Sequence, residues 1–226
     1  MRNMMSGEKR ILVYGDSNSW GYLDDGLGQR FARRWPVEMQ NQLSAVQQVS
    51  VIEECLPGRT TNLPDPVMGT AFNGHSPFEA VLLSHQPLDH ILIMLGTNDL
   101  KARFNRTADD IAAAIVGLAQ MARSVPAGSG GWSSALTSDI SVICPLVIGQ
   151  RAADPNWERV DEWAGANEKS AALPLALQQA CNTAGLRMVD GNEFGRSSER
   201  DPIHWGEDTH IRFGAGMAQA LQPYLK

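Results

Sequence analysis

Five short apolar runs, separated by stretches of helical periodicity, constrain the fold of this chain more than any other feature. The runs lie at residues 10–15, 49–54, 90–95, 140–145 and 186–190. Residues 91–95 and 140–144 are almost continuously apolar, as in strands that are buried on both faces. Strands that alternate with helices indicate an α/β fold in which helices cover both faces of a parallel sheet.

The clearest helix is predicted to follow Thr107. Thr107 and Asp110 have the spacing of a capping box, in which each side chain satisfies a backbone N–H of the other residue. Apolar residues then recur at helical spacing, at Ile111, Ile115, Leu118, Ala122 and Val125.

Further helices are predicted at roughly residues 33–45, 78–84 and 212–222. The pattern between residues 156 and 184 is also helical, but Pro174 should kink or divide that helix because proline lacks an N–H. Gly185 is its predicted end. Gly214 and Gly216 weaken the last helix, since glycine has a low helix propensity.

The length and charge of the chain exclude several classes of protein. Its 226 residues suffice for one large domain, which we place at residues 1–226. A net charge of −6 gives no basic surface for nucleic acid. Apolar runs such as residues 91–95 are far too short to cross a bilayer. We therefore expect neither a nucleic-acid partner nor a membrane partner.

The amino terminus and the cysteines bear on the cellular compartment and on metal binding. The first ten residues lack the apolar core of a secretory signal. Three widely spaced cysteines, Cys55, Cys144 and Cys181, suit a reduced, cytoplasmic protein better than a disulfide framework. No histidines have H-x-x-x-H spacing and no cysteines form C-x-x-C, so we expect no metal and no cofactor.

A candidate nucleophile lies in the segment GDSNSWG at residues 15–21, directly after the first predicted strand. Parallel sheets place ligands and chemistry at the carboxyl ends of their strands, which favours Ser17 as a nucleophile. The alternative is that Ser17 only caps a helix. Ser19 is a weaker candidate because it falls inside the first helical turn. It also replaces the second glycine of G-x-S-x-G, which argues against the common α/β-hydrolases.

A serine nucleophile needs a base, and the base needs a partner that orients it. Asp201 precedes His204 by three residues in one short loop, so we predict His204 as the base and Asp201 as its partner. Many such pairs are ordinary surface residues, so the spacing alone is a weak signal. Glu207 and His210 have the same spacing, but we place them at the start of the last helix, where acidic residues favour the N-terminus.

The oxyanion formed by attack on an ester needs preorganised hydrogen-bond donors. Three candidates follow predicted strands: the backbone N–H of Ser17, the backbone N–H of Gly58, and the side-chain amide of Asn98. The alternative for Gly58 and for the segment GTND at residues 96–99 is that they simply form turns.

Together, these segments resemble the SGNH (GDSL-type) hydrolase family over nearly the whole chain, residues 10–225. The resemblance implies a flavodoxin-like three-layer α/β/α sandwich around a five-stranded parallel sheet. It makes Ser17 the nucleophile, Asp201 and His204 the acid and base, and Gly58 and Asn98 oxyanion donors.

A closer likeness is to the bacterial arylesterase/acyltransferase branch, carried by RTTN at residues 59–62 and ILIMLGTND at residues 91–99. It implies hydrolysis of short-chain acyl esters, acyl transfer to alcohols, a small-molecule ester as substrate and a homo-oligomer. The chain departs from the family's first block at residues 18–19, where Leu-Thr is usual. It departs from the branch at residues 57–58, where Ser-Ala is usual, and over residues 146–165. These departures bear on substrate preference.

Several aromatic residues have two interpretations. Trp20 lies three residues after Ser17 and could form a wall of the acyl pocket, with Asn18 and Pro57 beside it, or could pack between helix and sheet. Trp157 and Trp163 lie in the divergent segment and could cover the alcohol side or form a subunit contact.

Two other functions compete with an arylesterase. A carbohydrate O-acetyl esterase needs the same chemistry. A flavodoxin-like binding module could instead bind phosphate or flavin at residues 16–19, since a helix N-terminus attracts anions. The second alternative leaves Asn98, Asp201 and His204 without a role.

Overall fold

Five parallel strands form one sheet in the computed structural model, which describes residues 7–225. The strands are β1 (Lys9–Gly15), β2 (Val49–Cys55), β3 (His90–Met94), β4 (Asp139–Cys144) and β5 (Arg187–Asp190). Their order across the sheet is β2-β1-β3-β4-β5, so the central strand β3 lies between β1 and β4. Each observed strand overlaps its predicted run, and the predicted α/β fold is confirmed.

Helices cover both faces of the sheet. They are α1 (Ser17–Trp20), α2 (Trp35–Ser44), α3 (Phe78–His85), α4 (Ala108–Ser124), α5 (Ala166–Ala184) and α6 (Glu207–Leu221). Alternate residues of β1 point to opposite sides: Leu12 joins the core beneath α3, α4 and α5, whereas Val13 joins the core beneath α2 and α6. The result is the expected three-layer arrangement.

The capping box that opens α4 forms as predicted. The Thr107 hydroxyl accepts a hydrogen bond from the Asp110 N–H at 3.1 Å, and the Asp110 carboxylate accepts one from the Thr107 N–H at 2.9 Å. Two of the helix's free N–H groups are thereby satisfied, which fixes where the helix begins.

The prediction for residues 156–184 was wrong about where the helix begins and about its division at Pro174. The helix begins at Ala166, after Gly165 in the left-handed region at φ 71°, and residues 156–165 form turns. Pro174 lies inside a continuous helix and does not divide it. Leu173 and Leu177 are buried on its inner face, so their burial offsets the hydrogen bond that proline cannot donate. Gly185 ends the helix as predicted, at φ 61°.

The last helix begins at Glu207, five residues before the predicted start, and its glycines have a packing role. A Cβ atom on Gly214 would lie 2.7 Å from the Trp35 carbonyl oxygen. A Cβ atom on Gly216 would lie 2.3 Å from the Phe194 ring. Glycine therefore allows α6 to approach its neighbours closely, which the propensity argument did not consider.

Within residues 7–225, no helix combines the length and the apolar character that a membrane crossing requires. The prediction that the first ten residues hold no secretory signal falls mostly on residues outside the described range.

Candidate active site

Ser17 lies on a sharp turn at the carboxyl end of β1. Asp16 caps the single turn of α1, accepting a hydrogen bond from the Asn18 N–H at 3.0 Å. Gly21 ends this turn with a φ of 94°, a conformation that favours glycine. The serine is held on a short, well-defined element, with 6% of its surface exposed.

Ser19 faces the interior of the protein. It is fully buried, and a Cβ atom on Gly15 would lie 2.3 Å from its hydroxyl oxygen. Its hydroxyl therefore points back at the end of β1, away from any substrate. This position explains why residue 15 must be glycine, and it leaves Ser17 as the candidate nucleophile of this turn.

Asp201 and His204 are paired. The Nδ1 atom of His204 lies 2.6 Å from a carboxylate oxygen of Asp201. The second carboxylate oxygen accepts a hydrogen bond from the Ile203 N–H at 2.9 Å. Burial alone would raise the pKa of Asp201, but the hydrogen bond and charge of His204, with the nearby N–H groups, outweigh it and lower the pKa. The carboxylate is therefore ionised at neutral pH.

The segment around Ser17 holds the loop that carries His204. The side-chain amide of Asn18 donates to the Ile203 carbonyl at 3.2 Å. The Tyr22 ring stacks on the His204 ring, with centroids 4.4 Å apart and planes 30° from parallel. Two backbone contacts also connect these segments. Leu23 forms a β-bridge with Trp205, and the Asp24 N–H donates a hydrogen bond to the Trp205 carbonyl at 3.2 Å. These contacts bring residues 17 and 204 to one region of the molecule.

Gly58 and Asn98 lie beside each other, after β2 and β3. The side-chain amide of Asn98 donates to the Arg59 carbonyl at 3.2 Å, so it adjoins the residue that follows Gly58. Gly58 has a φ of 89°, in the region that favours glycine. The Arg59 side chain also donates to the Gly15 carbonyl at 3.1 Å, which ties this loop to the end of β1.

A buried polar cluster supports this edge of the site. The Asp99 carboxylate accepts hydrogen bonds from the Thr61 N–H at 2.9 Å, the Thr61 hydroxyl at 2.5 Å and the Arg106 guanidinium at 2.7 Å. Burial raises the pKa of Asp99, although these partners oppose the shift. Since Asp99 follows Asn98 directly, the cluster fixes the backbone that carries the Asn98 amide.

Asp16 is fully buried beside the site. Burial raises its pKa to about 6, while the Asn18 N–H and the charge of His204 oppose the shift. The Asn18 N–H is already occupied by this carboxylate. A phosphate at residues 16–19 would therefore face a carboxylate at the end of a single helical turn, which disfavours the anion-binding alternative.

The predicted pocket residues differ in how much surface they offer. Asn18 is 2% exposed, and its amide binds Ile203, so it joins two segments and has little surface for a substrate. Trp20 and Pro57 are partly buried. The Arg30 guanidinium lies over the Trp20 ring, 5.4 Å from the ring centroid. Trp20 therefore packs against this loop residue.

Trp157 and Trp163 belong to the hydrophobic core, at 4% and 1% exposure. The interpretation that they form a subunit contact is therefore wrong for this conformation, because neither ring presents surface to a partner. Arg159 lies near both rings, 5.8 Å and 5.5 Å from their centroids.

Three further histidines, His85, His90 and His210, contact neighbouring side chains or are buried in the core. His90 bonds to the Ser141 hydroxyl at 2.9 Å, and His85 lies 2.7 Å from a Glu54 carboxylate oxygen. His210 is buried in α6, and burial lowers its pKa to about 4. It therefore stays neutral at physiological pH.

Three contacts at the site had not been anticipated. Tyr22 stacks on His204, and the side chains of Met68 and Phe72 pack over Gly58. Neither periodicity nor spacing connects residue 22 with residue 204, or residue 68 with residue 58, so no sequence signal could have identified them.

Comparisons with known proteins identify a family and similar solved structures. A family model described as GDSL-like lipase/acylhydrolase matches residues 13–215. An inhibitor-bound aryl esterase from M. smegmatis is 31% identical, with a TM-score of 0.85, covering 96% of this chain and 100% of that chain. Est24, a carbohydrate acetylesterase from Sinorhizobium meliloti, is 28% identical, with a TM-score of 0.86, covering 95% of this chain and 99% of that chain. No curated protein matches the chain.

Proposed function

Because the chain belongs to the GDSL-like lipase/acylhydrolase family, we propose that it is a serine esterase that hydrolyses short-chain acyl esters of aryl or alkyl alcohols. The observation that carries this proposal is the 2.6 Å distance between His204 Nδ1 and an Asp201 carboxylate oxygen. Their loop is hydrogen-bonded to the Ser17 turn through the side chain of Asn18. The similarity to the M. smegmatis aryl esterase supports the substrate class.

In the first half-reaction, the Nε2 atom of His204 accepts the proton of the Ser17 hydroxyl while the serine oxygen bonds to the ester carbonyl carbon. The carbonyl electrons move to the carbonyl oxygen. The N–H groups of Ser17 and Gly58 and the Asn98 amide stabilise that oxyanion. The bond to the alcohol then breaks, and the alcohol leaves with the proton from His204.

In the second half-reaction, water loses a proton to His204 and attacks the acyl carbon. The Ser17 oxygen leaves and regains its proton, and the product is the free acid. A second alcohol in place of water gives a new ester, which is acyl transfer. Throughout, Asp201 remains ionised and stabilises the imidazolium of His204.

The nucleophile can be tested with a fluorophosphonate probe and mass spectrometry. Ser17 and Ser19 lie in the same tryptic peptide, residues 11–30, so fragmentation must locate the adduct within it. We expect the adduct on Ser17, no labelling of Ser17→Ala, and normal labelling of the matched control Ser19→Ala. An adduct on any other residue would overturn the assignment.

A carbohydrate O-acetyl esterase is the second candidate, favoured by the similarity to Est24. Acetylated sugars and aryl acetates require the same nucleophile and oxyanion donors, so the alcohol side of the site must decide between them. Values of kcat/KM for acetylated xylose and for p-nitrophenyl acetate would distinguish the two functions. A higher value for the sugar would favour the second candidate.

The assembly and the compartment are further parts of the proposal. The resemblance to the arylesterase branch supports a homo-oligomer, which analytical ultracentrifugation tests directly. The three cysteines support a cytoplasmic location. All three are free in the described structure, with Cys144 and Cys181 buried.

A further inference from the structure

The loop after β2 places a methionine against the candidate oxyanion glycine. A Cβ atom on Gly58 would lie 2.7 Å from Met68 Cε and 3.1 Å from the Phe72 ring. Met68 is 42% exposed, so one side of it contacts Gly58 while another remains open to solvent. A flexible apolar side chain therefore stands at the edge of the site.

Building on the proposed function, we infer that Met68 limits the length of the acyl chain that the site accepts, and that Asp65 is the positioning residue that holds Met68 there. The carbonyl oxygen must lie near Gly58 to reach the oxyanion donors. The alcohol must lie toward His204, which protonates it as it leaves. We therefore place the acyl group away from His204, against the Met68 side chain that covers Gly58.

Asp65 shapes the turn that presents Met68. One oxygen of its carboxylate accepts hydrogen bonds from the Val67 N–H at 2.8 Å and the Met68 N–H at 3.1 Å. Its backbone carbonyl accepts the Gly69 N–H at 2.8 Å. A single residue thus fixes three successive amides, and the Met68 backbone is held although its side chain is partly exposed.

A charged network holds Asp65 in turn. Its second carboxylate oxygen accepts a hydrogen bond from the Arg103 guanidinium at 2.8 Å and lies 4.0 Å from the Lys101 ammonium. Arg103 also donates to a Glu162 carboxylate oxygen at 3.0 Å. The Asp65 side chain is fully buried, so these partners offset the cost of burying its charge.

Through Met68, the network connects two regions at which this chain departs from the branch that it resembles. Glu162 belongs to the divergent segment 146–165, and Gly58 occupies one of the divergent positions 57–58. A rigid support beneath Met68 would define the size of a pocket, because the size of a pocket depends on holding its lining side chains in place.

Met68→Ala tests the inference with p-nitrophenyl acetate, butyrate, hexanoate and octanoate. We expect the ratio of kcat/KM for hexanoate to that for acetate to rise about 10-fold, since each methylene that fits a pocket changes selectivity by about 10-fold or more. Val67→Ala is the matched control, because Val67 is the neighbouring residue and is 76% exposed. It should leave the ratio unchanged.

Two outcomes would overturn the inference. One is an unchanged acyl-chain ratio in Met68→Ala. The other is a change of selectivity along a series of acetates with different alcohols but none along the acyl series. Fluorophosphonate labelling of Ser17 is measured in the same samples. If Ser17 of the wild type were not labelled, the proposed function itself would be contradicted. Failure of the Met68 inference and failure of the proposed function are therefore distinguishable.

Asp65→Asn tests the positioning role. We expect the hexanoate-to-acetate ratio to rise about 3-fold, and the double variant Asp65→Asn/Met68→Ala to show the same ratio as Met68→Ala alone, because Asp65 acts through Met68. Equal losses for every ester with no change of ratio would show that Asp65 is only structural. If Asp65→Asn does not fold, Arg103→Gln provides the same comparison at a partly exposed partner.

Discussion

The side-chain amide of Asn18 donates a hydrogen bond to the Ile203 carbonyl, 3.2 Å away, across 185 positions of sequence. Asn18 follows the candidate nucleophile Ser17, and Ile203 precedes the candidate base His204. The bond therefore joins the two halves of the site through residues that take no part in the proposed chemistry. It also gives a structural reason for asparagine at a position where the family usually has leucine.

Asn18→Asp should separate the halves of the site without changing side-chain volume. A carboxylate cannot donate to the Ile203 carbonyl, so we expect kcat to fall by about 10- to 100-fold, the cost of a small misplacement of catalytic groups. Assays with p-nitrophenyl acetate would measure it. Asn182→Asp, on the exposed face of α5, is the control. Activity within about 2-fold of the wild type would contradict a positioning role for Asn18.

Asn98→Ala should remove one oxyanion donor. Loss of such a donor typically costs about 100- to 1,000-fold in kcat, because the donor acts mainly on the charged intermediate. KM should change little. Steady-state kinetics with a melting curve would separate catalysis from stability. A loss smaller than about 5-fold would instead assign Asn98 to the turn, where its amide bonds to the Arg59 carbonyl.

Arg106→Ala should destabilise the fold. Its guanidinium is a partner of the Asp99 carboxylate, which is fully buried. Removing one partner of a buried ion pair leaves an uncompensated charge, so we expect a loss of about 3 kcal/mol in the free energy of unfolding. Urea denaturation would measure it. Arg212→Ala, at an exposed position of α6, should cost less than about 0.5 kcal/mol. Similar values for both variants would contradict this role.

Asp16→Asn should change the pH dependence of stability. Burial raises the pKa of Asp16 from 3.8 to about 6, so the folded state binds the proton more tightly than the unfolded state. The stability contributed by this group is therefore lost as pH rises through about 6. The variant lacks this loss, and its advantage over the wild type should grow by about 2 kcal/mol between pH 4 and pH 7. If the free energies of unfolding of the wild type and the variant changed in parallel with pH, this account would be wrong.

His210→Phe should make the protein more resistant to acid. Burial lowers the pKa of His210 from 6.5 to about 4, so the unfolded state binds the proton more tightly. The stability contributed by the neutral ring is present above pH 6.5 and is lost as pH falls toward 4. At pH 5 this loss is about 2 kcal/mol relative to neutral pH. The phenylalanine variant should not lose this stability. Denaturation of both proteins at pH 5 and at neutral pH would measure the difference in the free energy of unfolding.

Particular elements show what sequence patterns capture. The strands were predicted because burial on both faces leaves a continuous apolar run, and the capped helix α4 because one-sided burial leaves a helical period in the sequence. The start of α5 and the intact helix around Pro174 were not, since the burial of Leu173 and Leu177 depends on other elements. The α6 helix begins five residues before its predicted start, and the packing role of Gly214 and Gly216, which permit contact with Trp35 and Phe194, was not predicted.

The sequence by itself determined the fold class, the family and the identity of the candidate catalytic residues, because apolar runs, helical periodicity and short motifs are local properties of the chain. Only the tertiary structure decided that Ser19 faces the core, that Tyr22 stacks on His204 and that Met68 covers Gly58. These are contacts between separate segments. They depend on how the segments pack together, and packing leaves no periodic trace in the sequence of either one.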